Sequence, residues 1–188
     1  MRYALFLSLA FWLFLPARAA DAPPETTMHA FYAWVLDHPS LGVPNVEDRA
    51  QLAPLLSMQL VKLLEQAAET DARCLQTVLD GDKPNVYEGD LFVGIYEGAT
   101  DAAFHHVIKK GSVATVDIDL IYIDPRFPKA DANRASVWRN TLELRKVGER
   151  WVVQNVKFGS KTSLLSVLRD HIAEGARSCV ITGSAAAH

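Results

Sequence analysis

Asp117 and Asp119 lie two residues apart in the alternating stretch VATVDIDLIYID (113–124). On a strand that spacing puts both carboxylates on one face, with Val116, Ile118, Leu120 and Tyr122 on the other. Lining a pocket, such a pair would serve as acid and base, one of them with a raised pKa. The alternative is cross-strand pairing with Arg139 or Arg145, or a solvated edge. It is the reading favoured here, because the dyad lacks a third, orienting group. A second cluster is Tyr87, Glu88, Gly89 and Asp90. Gly89 lets the backbone bend, and a carboxylate beside a tyrosine can hold a basic partner or a sugar. The same residues also suit a capped loop entering a strand at Leu91. His105 and His106 are adjacent, so on a strand they face opposite ways and cannot chelate one metal together. Neither serine of the SLLS stretch, Ser163 or Ser166, stands in a nucleophile elbow. There is no Gly-rich phosphate loop and no HExxH. No catalytic residue, metal ligand or cofactor is assigned.

These residues follow a segment that reads as an export signal. In MRYALFLSLAFWLFLPARAA (1–20), Arg2 supplies the positive start and Tyr3 to Leu15 carry no charge. Pro16 then breaks the run, and Ala17, Ala19 and Ala20 suit cleavage after Ala19 or Ala20. The run is short for a membrane span, which needs roughly 20 apolar residues to cross about 30 Å. A periplasmic location is expected, with no membrane attachment once the signal is removed. The remaining chain of about 168 residues suits one domain. Such a chain buries about 70% of its unfolded surface, so it needs no metal to fold. The formal net charge of −3 and the lack of a basic stripe argue against nucleic acid. In an oxidising compartment the two cysteines, Cys74 and Cys179, are expected to form a disulfide. It would tie the tail to the helical first half.

The elements that must position these residues divide into helices first and strands second. DAPPE (21–25) reads as a disordered lead-in. Thr26 or Thr27 then caps a helix to about Asp37, carrying Met28, Phe31, Tyr32, Val35 and Leu36 inward. His38-Pro39 ends it, and 39–46 reads as a loop. A second helical segment takes Pro54 in its first turn and carries a wide apolar stripe from Leu55 to Leu64, with good helix formers to Cys74. Asp80-Gly81-Asp82 turns the chain. Strands are expected at 90–97, 103–109, 113–124, 136–147 and 151–158, with turns at Gly111 and Gly148. A long polar connection, 125–135, contains Arg126. Thr162 or Ser163 caps a last helix through Ile172. This order indicates an α+β fold, with helices packed on one face of a curved antiparallel sheet.

Several stretches carry a resemblance: FYAWVL (31–36), LAPLLSMQLVKLL (52–64), KPNVYEGDLFVGIYEG (83–98), WRNTLELRKVGERWVVQNVKFG (138–159) and LLSVLRDHI in the last helix. In this order they resemble exported bacterial domains of unknown function in the nuclear transport factor 2-like superfamily. The resemblance implies a cystatin-like cone, a bent sheet wrapped around the N-terminal helices. It implies little about activity, since that superfamily holds enzymes, carriers and toxin-neutralising proteins alike.

Three roles follow, in order of preference. The first is a non-catalytic periplasmic binding protein for another protein, an inhibitor or immunity protein against a secreted toxin being its concrete form. Tyr87, Glu88, Asp90, Asp117, Asp119 and Arg126 are its candidate contacts. The second is a binder of a small apolar ligand, which needs a large apolar cavity. The third is an isomerase or hydratase using Asp117 or Asp119, which needs a buried carboxylate with a perturbed pKa.

Overall fold

The computed structural model describes residues 22–39, 41–78 and 82–180. The expected signal at 1–20, most of the Asp80-Gly81-Asp82 turn and the end of the tail lie outside them. The helices are α1 (Pro24–Asp37), α2 (Val46–Leu52), α3 (Met58–Thr77) and α4 (Leu164–Ser178). Short 3-10 turns occupy Ala53–Leu55 and Ala132–Arg134. The strands are β1 (Asp101–Phe104), β2 (Ile108–Lys110), β3 (Val113–Ile123), β4 (Ala135–Val147), β5 (Arg150–Phe158) and β6 (Thr162–Ser163). They form one open antiparallel sheet in the order β1-β3-β4-β5-β6, with β2 also paired to β3. The α+β class is therefore as expected.

Helix starts follow local chemistry, though not always at the expected residue. Pro24, not a threonine cap, opens α1, at a position whose N–H would be unsatisfied anyway. Two residues of the lead-in read as disordered, Pro24 and Glu25, are thus helical. Thr27 instead donates its hydroxyl to the Trp151 carbonyl at 2.9 Å. α2 falls at the end of a stretch read as loop, where Asn45 accepts from the Asp48 N–H at 3.0 Å. Pro54 lies in the 3-10 turn. α3 begins only after Ser57, which accepts from the Leu60 N–H at 3.3 Å. Ser163 caps α4 as expected, in a reciprocal pair with Ser166.

Helices α1, α3 and α4 cover one face of the sheet. Phe31, Tyr32, Leu60 and Leu64 meet Val116, Ile118, Leu120, Leu142 and Leu144 in a filled core. One device in β5 is needed for this. Glu143 pairs with Asn155 and Leu144 with Val153, so Gln154 is an extra residue between them. This bulge shifts the alternation by one. Odd-numbered Trp151 and Val153 and even-numbered Val156 can then all be buried. The half of β5 that β6 does not reach is covered by Leu56 and Ser57, whose N–H donates to the Val153 carbonyl at 2.9 Å.

Two expected strands take other forms. The segment 90–97 is a tight loop, bent at Gly89, Gly94 and Gly98, which have φ of 93°, 80° and 79°. Only glycine adopts such angles without strain. The expected strand 103–109 is two strands, interrupted at 105–107.

α3 and α4 approach closely at Gly175, where a Cβ would lie 2.1 Å from the Thr70 Cγ2. Thr70 is buried and its hydroxyl is bonded to the Gln66 carbonyl, so it has little room to rotate away. Gly175→Ala is expected to destabilise the fold in urea titration. Overpacking costs about 1–3 kcal/mol, more than the roughly 1 kcal/mol of helix propensity that alanine brings. A more stable variant would refute the close approach. A disulfide joins Cys74 of α3 to Cys179 at the end of α4, with Cα atoms 4.8 Å apart. No helix among the described residues is long and apolar enough to cross a membrane.

Candidate functional site

The β3–β4 register sets Asp119 opposite Arg139 and Asp117 opposite Thr141, on the sheet face away from the helices. Arg139 donates to Asp119 through Nε at 2.6 Å and Nη2 at 2.9 Å, and His105 Nε2 lies 2.8 Å from Asp119 Oδ2. The hydrogen bonds from Arg139, and then from His105, hold the Asp119 carboxyl well below the usual carboxylate range. Asp117 accepts from the Thr141 hydroxyl at 2.7 Å. Beside it a shallow hollow of about 310 Å³ opens among His105, His106, Ile108 and Thr115. For Asp119 the cross-strand pairing is the arrangement realised, and a carboxylate so held is a poor general base. The expectation that His105 and His106 sit on a strand fails. They fall in the 105–107 break, which lets His105 bend back onto Asp119.

The Tyr87–Asp90 cluster is dispersed by its own backbone. The Tyr87 N–H donates to Asp71 Oδ1 at 3.3 Å, and its ring meets the edge of His171, itself 2.7 Å from Asp71. Tyr87 therefore closes the α3–α4 seam. Glu88 turns outward to Lys83 at 2.8 Å. Asp90 turns inward and is only 3% exposed. Its Oδ1 accepts from the Phe92 N–H at 2.9 Å. Burial pushes its pKa up to about 6, against the opposing pull of the Phe92 and Val93 backbone N–H groups.

The loop holding Asp90 is anchored at both sides. Leu91, Phe92 and Val93 are buried in the core, and the Val93 carbonyl accepts from Trp138 Nε1 and Asn140 Nδ2, each at 2.9 Å. Gly94 lies under the Phe158 ring, where a Cβ would be 2.7 Å from Cδ1. The Gly42 N–H donates to the Gly89 carbonyl at 2.9 Å, bringing the loop after α1 alongside. Between these two loops and the end of β3 lies a cleft of about 250 Å³, lined by Leu41, Asp90, Tyr96, Glu97, Gly98 and Tyr122 among others. Within reach of the Asp90 charge, the fully buried Tyr32 hydroxyl has no hydrogen-bond partner among the described residues. Burial first, and the Asp90 charge second, raise its pKa.

Arg126 does not neutralise this cleft. Its charge reaches Glu97 and Tyr122, but Nε forks onto both oxygens of Asp124 at 2.9 and 3.0 Å. Among the described residues no cation pairs with Asp90 or Glu97. A second, open groove of about 550 Å³ runs between α2 and α3. Val46 and Leu75, 74% and 55% exposed, line it with Glu65 and Glu69.

Of the six expected contacts, only Asp90 lies in the cleft. Tyr96, Glu97, Tyr122 and Leu41 were missed. Leu41 and Tyr122 come from distant segments, but the glycine spacing at 89, 94 and 98 is a local signal for a looped, close-packed site.

No family model matches this sequence, and no curated protein matches it. Two solved structures are similar in shape. One is a SEC-C motif containing protein from Rhodopseudomonas palustris, 14% identical, covering 77% of this chain and 84% of its own, with a TM-score of 0.40. The other is a chain of the type VI effector–immunity complex Tae3–Tai3 from Ralstonia pickettii, 14% identical, covering 74% and 97%, with a TM-score of 0.43. Likenesses at this level carry no argument about function.

Proposed function

We propose that this chain is an exported, non-catalytic binding protein whose partner is another protein, its concrete form being an immunity protein that neutralises a secreted toxin by direct contact. The observation that carries the reading is a packed apolar core beneath open surface hollows among the described residues. A small apolar ligand needs a cavity of about 300–1,000 Å³ lined mainly by apolar groups. The Asp90 cleft is smaller and acidic, and the wider groove, though large enough and mainly apolar in lining, lies open on the surface instead of enclosing a ligand. Protein interfaces, in contrast, use exposed apolar and aromatic anchors ringed by polar groups, which Val46, Leu75 and Tyr96 supply. Export fits the 1–20 segment and the Cys74–Cys179 bridge. A nuclear transport factor 2-like cone fits helices packed on one face of an antiparallel sheet.

An enzyme is the second reading, moved from Asp117 and Asp119 to Asp90, because a buried carboxylate with a raised pKa suits acid–base work. Glu97 could serve as its partner base, but no serine, cysteine or histidine lines the cleft. The mature protein, immobilised and exposed to envelope extract, is expected to retain one protein in stoichiometric amount. The purified pair is expected to co-elute in size exclusion. Recovery of the protein without its first 19 or 20 residues from the periplasmic fraction checks export. A purified protein that forms no such pair yet turns over a small molecule would replace this reading by the second.

A further inference from the structure

We propose that the cleft over Asp90 is a socket for a single cationic side chain, arginine above all, presented by the partner protein. It rests on the protein-binding reading above. Asp90 is buried, lines the cleft and, among the described residues, has no cation paired with it. Its Oδ2 faces the wall formed by Gly98, where a Cβ would come within 3.3 Å. A side chain at 98 would crowd that oxygen, so glycine keeps the approach open. A buried carboxylate without a counter-charge is costly and is normally paired. The one nearby guanidinium, that of Arg126, is committed to Asp124. The Phe92 and Val93 N–H groups offset only part of the burial cost, so a cation entering from outside the described residues would supply the missing counter-charge.

The cleft also selects the form of that charge. Glu97 adds a second carboxylate at the rim, and the rings of Tyr96 and Tyr122 line the walls. A guanidinium stacks on aromatic faces and is more weakly hydrated than an ammonium, so it gives up less on entering. About 250 Å³ admits one side chain, not a folded loop. The Tyr32 hydroxyl, which feels the Asp90 charge, is a further polar group unpaired among the described residues.

The test is titration of the mature protein with N-acetyl-arginine amide, followed by backbone NMR shifts at Tyr96, Gly98 and Tyr122. N-acetyl-citrulline amide, the neutral isostere, is the control. Saturable shifts are expected with arginine, with citrulline at least about tenfold weaker, the worth of one charge-assisted contact. Asp90→Asn is expected to lose about the same factor. Tyr96→Ala, at a residue 59% exposed whose loss leaves the core intact, is expected to weaken arginine binding as well. Equal binding of the two amides, no saturable shift, or an unchanged Asp90→Asn would overturn the socket. The two readings fail separately. A protein partner held equally by wild type and Asp90→Asn removes the socket alone. Arginine-selective binding with no protein partner removes the protein-binding reading and leaves a site for a free guanidinium ligand.

Discussion

Removing the Cys74–Cys179 disulfide is expected to cost the fold about 2–5 kcal/mol. The bridge spans 105 residues, and in the chain-entropy model a loop of that size restrains the unfolded state by about 4.7 kcal/mol. It closes nearly the whole sheet between α3 and the end of α4. Both sulfurs are buried, so gentle reduction of the native protein is the weaker experiment. The Cys74→Ala/Cys179→Ala double variant, compared with wild type in urea, is the stronger one. Its midpoint is expected to fall with the slope altered by a less restricted unfolded chain. The α3–α4 seam should persist, held by the Gly175–Thr70 approach and the Asp71–His171 contact. An unchanged midpoint would mean that the bridge is not formed in the isolated protein.

The second large effect has the opposite sign. Asp90→Asn is expected to stabilise the protein at neutral pH. In the native state burial raises the Asp90 pKa to about 6 from the ordinary value of 3.8. Between those values the folded chain holds a proton that the unfolded chain has released. Stability therefore falls as pH rises from about 4 to about 6, and stays lower above that. Two pKa units correspond to about 3 kcal/mol. Asparagine is neutral throughout and its amide oxygen can still accept from the Phe92 N–H. The variant should match wild type near pH 3 and exceed it by up to about 3 kcal/mol at pH 7 and above, read from urea titrations across that range. A variant less stable than wild type at pH 7 would show that the carboxylate is already compensated. A residue that weakens its own fold at working pH fits a trade of stability for function, which links this measurement to the socket.

Much of the architecture could be read locally. The alternation in VATVDIDLIYID and the turn at Gly148 specify β3 and the β4–β5 hairpin, because a period of two and a left-handed glycine act within a few residues. The helical stripes of Met28–Val35 and Leu60–Leu64 specify their buried faces for the same reason. Asp119 was legible too, since opposite charges on neighbouring strands of a hairpin-like pair find each other once the register is set.

The failures share another cause. DLFVGIYE contains enough β-branched and aromatic residues to read as a strand. Three glycines and the pull of Trp138 and Asn140 on the Val93 carbonyl fold it into a loop instead. His105 lies in a break between β1 and β2, where it meets Asp119 of β3 and Arg139 of β4. The candidate site belongs wholly to this second class. The small residues at 17–20, helix stripes, strand alternation and a pair of cysteines are properties of the sequence itself, and they need no fold to be stated. That Asp90 turns inward while Glu88 turns outward is decided by Gly89. That its carboxylate meets Tyr96, Tyr122 and Leu41, and no arginine, is decided by which distant segments the core brings to one place. Burial and charge compensation are properties of a surrounding, and only the tertiary structure supplies one.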